Sequence, residues 1–153
     1  MSNENEFEKR RAKGTAHLLE QVARRMHEKR YQKDLHAAQW AALRYFERSG
    51  RQTATVIGLS RYLGNTSGST SRTARSLVDR NLLVVTPSKE DARSVTFTLT
   101  AEGHEMLKAD PLHEVMEILT NLPPAELGPL SQALDMIQTD LHKRRACSDK
   151  KCK

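Results

Sequence analysis

The chain has 153 residues, of which 29% are charged and 37% hydrophobic, and its formal net charge is +6 at pH 7. This length predicts one domain with its own core and is short for most enzymes. No apolar run approaches the roughly 18 residues that cross a bilayer, and the polar N-terminus lacks the apolar stretch of a secretory signal. We therefore expect a cytoplasmic protein with no membrane partner.

The positive charge is unevenly distributed along the chain. Residues 1–33 carry nine basic and five acidic side chains, and residues 50–99 carry seven and three. Residues 100–145 reverse the sign, with four basic and eight acidic side chains. A basic surface that is merely solvated would not explain this reversal. The pattern favours a nucleic-acid partner for the basic segments.

Two helices are predicted before residue 50. A helix over residues 15–30, frayed or extended toward the N-terminus, follows from the helical spacing of Leu18, Leu19, Val22 and Met26. A second helix is predicted over about residues 35–49, with Trp40, Leu43 and Phe46 facing inward. Trp40 on such an apolar face is more typical of a core than of a ligand platform.

A helix-turn-helix is predicted after Thr55. Leu59 and Leu63 belong to a short helix that ends at Gly64, because glycine readily adopts the left-handed conformation of a helix cap. After the turn, a second helix is expected over residues 67–80.

The second helix of this pair has two chemically different faces. One face carries apolar or half-apolar residues at helical spacing, namely Thr70, Thr73, Ala74, Leu77 and Val78. The opposite face interleaves short hydroxyls with arginines, namely Ser69, Ser71, Arg72, Arg75 and Ser76. No carboxylate of this helix precedes Asp79, so the polar face is suited to phosphates and base edges.

A β-hairpin is predicted to follow the helix-turn-helix. β-branched runs over residues 82–86 and 94–99 predict two strands, with Val95, Phe97 and Leu99 facing inward. The charged connection over residues 87–93 forms a protruding tip. Asn81 tolerates the left-handed conformation that the turn before the first strand requires. This order of elements predicts a winged helix.

Helices are expected again beyond Thr100, a plausible N-cap. Pro111 should kink or break the first of them, and Pro123 and Pro124 separate it from a last helix. There the seam Leu127, Leu130, Leu134, Ile137 and Leu141 steps by three and four residues, as in a heptad repeat. The seam either packs on the core of its own chain or forms a dimer, and we favour the dimer.

Several of these motifs together resemble the MarR family of transcription regulators. They are LxxxLG at residues 59–64, TSRTxxxLVDRNLL at 70–83, the Asp91 and Arg93 of DxR, LTxxG at 99–103, and Gln39–Trp40. The resemblance covers about residues 15–145. It implies a mainly α fold with a small β-wing: a winged helix-turn-helix domain plus N- and C-terminal dimerisation helices.

This resemblance also implies how the chain is organised. We expect a single MarR-like domain over residues 1–153, with dimerisation or support helices at 15–49 and 100–145. The winged helix-turn-helix occupies residues 50–99, and residues 146–153 form a disordered basic tail.

Candidate DNA contacts lie on the second helix and on the wing: Thr66, Ser67, Ser69, Ser71, Arg72, Arg75, Lys89, Asp91 and Arg93. The arginine fork matches the O6 and N7 acceptors of guanine. For Arg75 an alternative is an ion pair with Asp79, four residues further on. In family members the DxR arginine enters the minor groove while the aspartate orients a basic side chain.

The family resemblance further suggests a small-molecule effector bound between the dimerisation helices and the winged helix. Residues that could line such a site are Met26, Arg30, Trp40, Arg44 and His113. Cys147 and Cys152, flanked by basic residues, are candidates for a reversible disulfide, although tail cysteines in the cytosol are usually ordinary thiols. We expect no metal site, no cofactor and no catalytic constellation.

These observations predict a homodimeric, sequence-specific DNA-binding regulator, most simply a repressor, acting on a pseudo-palindromic operator. The first alternative is a winged helix that docks on another protein and has lost its DNA function. A thiol-disulfide enzyme that uses the tail is a third reading, but the chain lacks the structured CxxC site of that class.

Overall fold

The computed structural model describes residues 2–30, 35–50, 52–87 and 95–151. The elements, in chain order, are α1 (Ser2–Arg30), α2 (Ala37–Arg48), α3 (Val56–Leu63), α4 (Ser67–Asp79), β1 (Leu83–Pro87), β2 (Val95–Leu99), α5 (Ala101–Lys108), α6 (Leu112–Thr120) and α7 (Pro124–Lys151). This mainly helical fold with one two-stranded antiparallel sheet confirms the predicted fold class. Within these ranges, no helix combines the length and apolarity needed to cross a membrane.

The chain forms two compact units, residues 1–111 and 112–153. The N-terminal unit contains the helix-turn-helix and the hairpin, and the C-terminal unit contains α6 and α7.

The core of the N-terminal unit is built around α2. Trp40, Leu43 and Phe46 are buried, as their helical spacing predicts. This helix contacts α3, α4, β2 and α5. The buried side chains that these elements contribute include Leu59, Ala74, Leu77, Phe97, Leu99 and Leu107.

Local capping fixes the ends of the helix-turn-helix. Thr55 caps α3 by accepting a hydrogen bond from the Gly58 N–H at 3.1 Å. Gly64 ends α3 in the left-handed conformation, with φ 62°, and Asn81 after α4 adopts φ 58°. Both left-handed positions confirm the sequence prediction, because glycine and asparagine accept this conformation at least cost.

The hairpin begins in the core and extends beyond it. β1 pairs with β2 so that Leu83 faces Leu99 and Pro87 faces Val95. Phe97 and Leu99 are buried as predicted, but Val95 is not, since its side chain is 41% exposed. It shares the inner face of the strand with Phe97, yet it lies at the outer end of the hairpin, past the last core side chain.

A further backbone hydrogen bond joins the hairpin to the start of the helix-turn-helix. The Phe97 N–H donates to the carbonyl of Ala54 at 2.9 Å. The root of the wing is therefore held from both sides, by β1 and by the residue preceding Thr55.

Proline separates the helices at the C-terminal side. α5 ends at Lys108 and α6 begins at Leu112, which confirms the break predicted at Pro111. Proline lacks the N–H of the helical ladder and its ring clashes with the preceding turn.

The last helix is longer than predicted. α7 begins at Pro124 and continues to Lys151, so its backbone is helical over residues 146–151, where the sequence predicts a disordered tail. Lysine and arginine are good helix formers, and neither glycine nor proline occurs among residues 146–151.

Apolar side chains of the terminal helices remain exposed within each unit. On α1 they are Leu18, Leu19 and Val22, and on α7 they are Leu130, Leu134, Ile137 and Leu141, which are 38–58% exposed. Met26 of α1 is half-buried. Isolated chains rarely leave such rows of apolar residues in water.

Candidate nucleic-acid interface

Most residues of α4 lie on the buried or the exposed face that the sequence predicts for them. Thr70, Ala74 and Leu77 are buried against the core. Arg72 and Arg75 are exposed, together with Thr66 and Ser67 at the start of the helix, whereas Ser69 and Ser71 are half-buried. Residues 68, 72 and 75 recur four and three positions apart, so they share one exposed face.

The two arginines of this face are available to a partner. Among the described residues, neither guanidinium forms a hydrogen bond or an ion pair, so the alternative pairing of Arg75 with Asp79 is not made. Arginine that is neither buried nor paired retains all its N–H donors for phosphate or base acceptors.

Ser76 does not belong to this outer face. Its hydroxyl accepts a hydrogen bond from the side-chain amide of Gln39 at 2.9 Å, and Gln39 is buried. The Gln39 side-chain oxygen also accepts from the His36 N–H at 2.8 Å, at the start of α2. The position of Ser76 on the helical wheel is at the boundary of the faces, and the buried glutamine draws it inward.

Gln39 therefore contacts α4 directly, whereas the sequence indicated this residue only through the family resemblance. One signal was available: Gln39 lies four residues before Leu43 and thus on the buried face of α2. A buried amide needs hydrogen-bond partners, and here it finds them on two helices.

The threonines of the inner face are satisfied within α4. The Thr70 hydroxyl donates to the Thr66 carbonyl at 3.0 Å, and the Thr73 hydroxyl donates to the Ser69 carbonyl at 3.2 Å. Thr66 in turn caps the helix by accepting from the Ser69 N–H at 3.4 Å. These polar side chains consequently fit a face that packs against the core.

The LTxxG motif anchors the C-terminal end of α4 and the root of the hairpin. The Thr100 hydroxyl donates to the Asn81 carbonyl at 2.7 Å and accepts from the Gly103 N–H at 3.0 Å. The Thr100 N–H donates to the Leu82 carbonyl at 3.2 Å. A Cβ on Gly103 would lie 2.2 Å from that same carbonyl oxygen, so only glycine fits the approach.

Residues 33–94 match the family model described as MarR family. This part of the chain is similar to the MarR family. The matched segment runs from before α2 to the residue before β2, so it contains the helix-turn-helix, both arginines of the α4 face and the Gln39 contact. No curated protein matches the chain.

Solved structures of MarR-family proteins share this fold. A MarR family transcription regulator is 21% identical with a TM-score of 0.72, and the match covers 94% of this chain and 97% of that one. A complex of MepR from S. aureus with DNA is 20% identical with a TM-score of 0.67, covering 82% and 96%. S. aureus MepR bound to ethidium bromide is 20% identical with a TM-score of 0.53, covering 82% and 95%.

The wing residues that carry the MarR-family DxR motif, Asp91 and Arg93, lie outside the described residues, as does Lys89. Their placement in a minor groove stays a prediction. The reversible disulfide between Cys147 and Cys152 also stays a prediction, since the Cys147 side chain and all of Cys152 are outside the described part.

The predicted effector residues have different environments. Trp40 is fully buried in the core, and the Arg44 guanidinium is held by the Asp110 carboxylate, so both have a structural role. His113 is exposed in the C-terminal unit, and the Arg30 side chain is outside the described part. A cleft of about 260 Å³ opens instead beside Phe46, Glu47, Phe97 and His104. In the described ranges, no three His, Cys, Asp or Glu side chains cluster as metal ligands would.

Proposed function

We propose that this chain is a DNA-binding transcription regulator of the MarR family and that it acts as a homodimeric repressor. The observation that carries the proposal is the exposed face of α4, where Arg72 and Arg75 have no partner among the described residues. The second helix of a helix-turn-helix enters the major groove, and arginine there reads guanine through a bidentate contact. S. aureus MepR, which shares this fold, is solved in complex with DNA, and this supports DNA as the partner.

The homodimer is supported by the exposed apolar faces of α1 and α7. Leu134, Ile137 and Leu141 follow one another at helical spacing and remain in contact with solvent within their unit. A second copy would cover such a seam. Two-fold symmetry would then require a pseudo-palindromic operator with half-sites about one helical turn apart.

Modulation by a small molecule completes the proposal. S. aureus MepR, which shares this fold, is solved with ethidium bromide. The dimer would carry two copies of α4. A ligand that binds one arrangement of these two helices more tightly than another would shift the dimer toward that arrangement and so change its affinity for DNA.

The decisive experiment is selection of duplexes from a random pool by the purified protein, followed by titration of the selected duplex at several salt concentrations. We expect a recovered palindrome and a log affinity that falls linearly with log salt. Arg72→Ala should reduce the affinity, whereas Lys108→Ala serves as the control, because Lys108 is exposed on α5 and pairs with Glu105 at 2.6 Å.

Recovery of unrelated sequences with no common motif, bound equally by Arg72→Ala and the unchanged protein, would contradict DNA recognition by α4. In that case the protein-docking winged helix becomes the better explanation.

A further inference from the structure

Gly68 occupies a position where the fold itself gives no reason for glycine. It is the second residue of α4, and its φ lies outside the left-handed region. A Cβ built on Gly68 meets no heavy atom within 4 Å. Because glycine has the largest backbone freedom to lose, a helix is more stable with alanine at such a site.

Three other glycines of the N-terminal unit differ in this respect. A Cβ on Gly58 would lie 2.1 Å from the Tyr45 hydroxyl and 2.4 Å from the Thr53 carbonyl oxygen. Gly103 is confined by the Leu82 carbonyl, and Gly64 requires a positive φ. Close packing or backbone conformation therefore explains glycine at these three positions, but neither explains it at Gly68.

The surroundings of Gly68 indicate an intermolecular reason. It precedes Arg72 by four residues and Arg75 by seven, so the three lie along one exposed face of α4. The two guanidiniums on that face have no partner among the described residues. Arginine side chains can reach base edges only if the helix that carries them comes close enough to the groove.

We propose that Gly68 is a specificity-determining residue for duplex DNA, because its missing side chain lets the first turn of α4 approach the major groove closely. This inference rests on the proposed DNA-binding function. In the complex, the Gly68 backbone lies against the duplex, and this approach sets how deeply the guanidinium of Arg72 reaches. A methyl group at this position holds the helix away from the groove, although it touches nothing within the chain.

The test compares Gly68→Ala with the unchanged protein in duplex titrations and in thermal unfolding. We expect Gly68→Ala to lower the affinity for the selected duplex about tenfold, which is the order of penalty for one extra methyl group in a close-packed contact. We expect its Tm to stay unchanged or to rise by about 2 °C, because the helix gains a better helix former. The salt dependence of binding should be the same as for the unchanged protein, since no charge is removed.

Gly14→Ala is the matched control, because Gly14 is also helical, exposed and free of atoms within 4 Å of a Cβ. It should raise the Tm to a similar extent and leave the duplex affinity within about twofold of the unchanged protein. Sedimentation of both variants verifies that their oligomeric state is that of the unchanged protein. Gly68→Leu extends the series and should bind the duplex more weakly than Gly68→Ala.

Equal duplex affinity of Gly68→Ala and the unchanged protein would overturn the inference, and so would a Tm several degrees lower, which would reveal an internal packing role. Neither result contradicts DNA binding as such. Failure of the unchanged protein to bind any selected duplex would instead contradict the proposed function.

Discussion

Arg44 of α2 and Asp110 at the end of the N-terminal unit form a two-point ion pair. The Arg44 Nη2 donates to the Asp110 Oδ1 at 2.8 Å, and its Nε donates to Oδ2. The two side chains are only 14% and 5% exposed. Such forked geometry satisfies both carboxylate oxygens in a place where water has little access.

Removing one partner of this pair should strongly destabilise the fold. Asp110→Ala leaves a nearly buried guanidinium without its carboxylate, and we expect the free energy of unfolding to fall by about 3 kcal/mol. Urea denaturation followed by circular dichroism measures the change. The double variant Arg44→Met/Asp110→Leu should recover most of the loss, because apolar side chains of similar volume need no charge partner. A loss below about 1 kcal/mol for Asp110→Ala would show that the pair is solvated as surface pairs are.

The contact between Gln39 and Ser76 should appear as a coupling energy. Ser76→Ala removes the hydroxyl that the amide reaches, and Gln39→Leu also removes the acceptor of the His36 N–H. Each should cost about 1–2 kcal/mol, because a buried polar group is left without its partner.

Urea denaturation of both single variants and of the double variant completes this cycle. The double variant should lose less than the sum of the two by about 0.5 kcal/mol or more, as for contacting residues. Strict additivity would mean that the two side chains do not interact in solution.

Gly103→Ala should destabilise the root of the wing. The added Cβ would lie 2.2 Å from the Leu82 carbonyl oxygen, which is backbone and cannot rotate away. We expect the free energy of unfolding to fall by about 1–3 kcal/mol. Gly50→Ala is the control, since the nearest atom to its Cβ is the Thr53 hydroxyl at 4.0 Å. If both variants lost a similar free energy of unfolding, the cause would be the backbone conformation of glycine and not the close approach of the Cβ to the Leu82 carbonyl.

The apolar seam of α7 should determine the oligomeric state. Ile137→Asp places a charge on the seam, and we expect it to convert dimers into monomers or misfolded chains, because a charge buried in an apolar interface has no compensating partner. Met136→Asp is the control, because Met136 is the neighbouring residue, is 71% exposed and lies off the seam. Sedimentation at micromolar concentration distinguishes the variants. A folded monomer for the unchanged protein would refute the dimer.

Arg72 and Arg93 should differ in what they contribute to DNA binding. Arg72→Ala should cost about 1–3 kcal/mol on the selected duplex and relax the preference at one or two base pairs per half-site. Arg93→Ala should weaken binding to most sequences and reduce the salt slope by about two per dimer, because a minor groove offers mainly electrostatic potential.

Titration of cognate and mutated duplexes at several salt concentrations separates these effects. If Arg72→Ala lost affinity uniformly while Arg93→Ala changed the consensus, the assignment of α4 and the wing to their grooves would be wrong.

Local rules predicted the elements of this fold well. The left-handed caps at Gly64 and Asn81 and the break at Pro111 depend only on the residue and its immediate neighbours. The buried face of α4 follows from helical periodicity, which places Thr70, Ala74 and Leu77 together.

Features that depend on distant residues were not predictable in this way. Ser76 lies at the boundary of the α4 faces, and its environment is set by Gln39, which is 37 positions away in the chain. Arg44 and Asp110 are 66 positions apart, so no periodicity connects them. Strand alternation gives the face of Val95, but it does not tell how far along the hairpin the core extends.

The three hydrogen bonds of Thr100 have a mechanical consequence. Through them, the first turn of α5, the end of α4 and the start of β1 share one fixed point. A tilt of α5 would therefore move the end of α4 and the root of the hairpin in the same direction. If α4 binds the major groove and the wing the minor groove, as proposed, we expect both contacts to be lost in one concerted step. No state should exist in which only the wing has dissociated from the DNA.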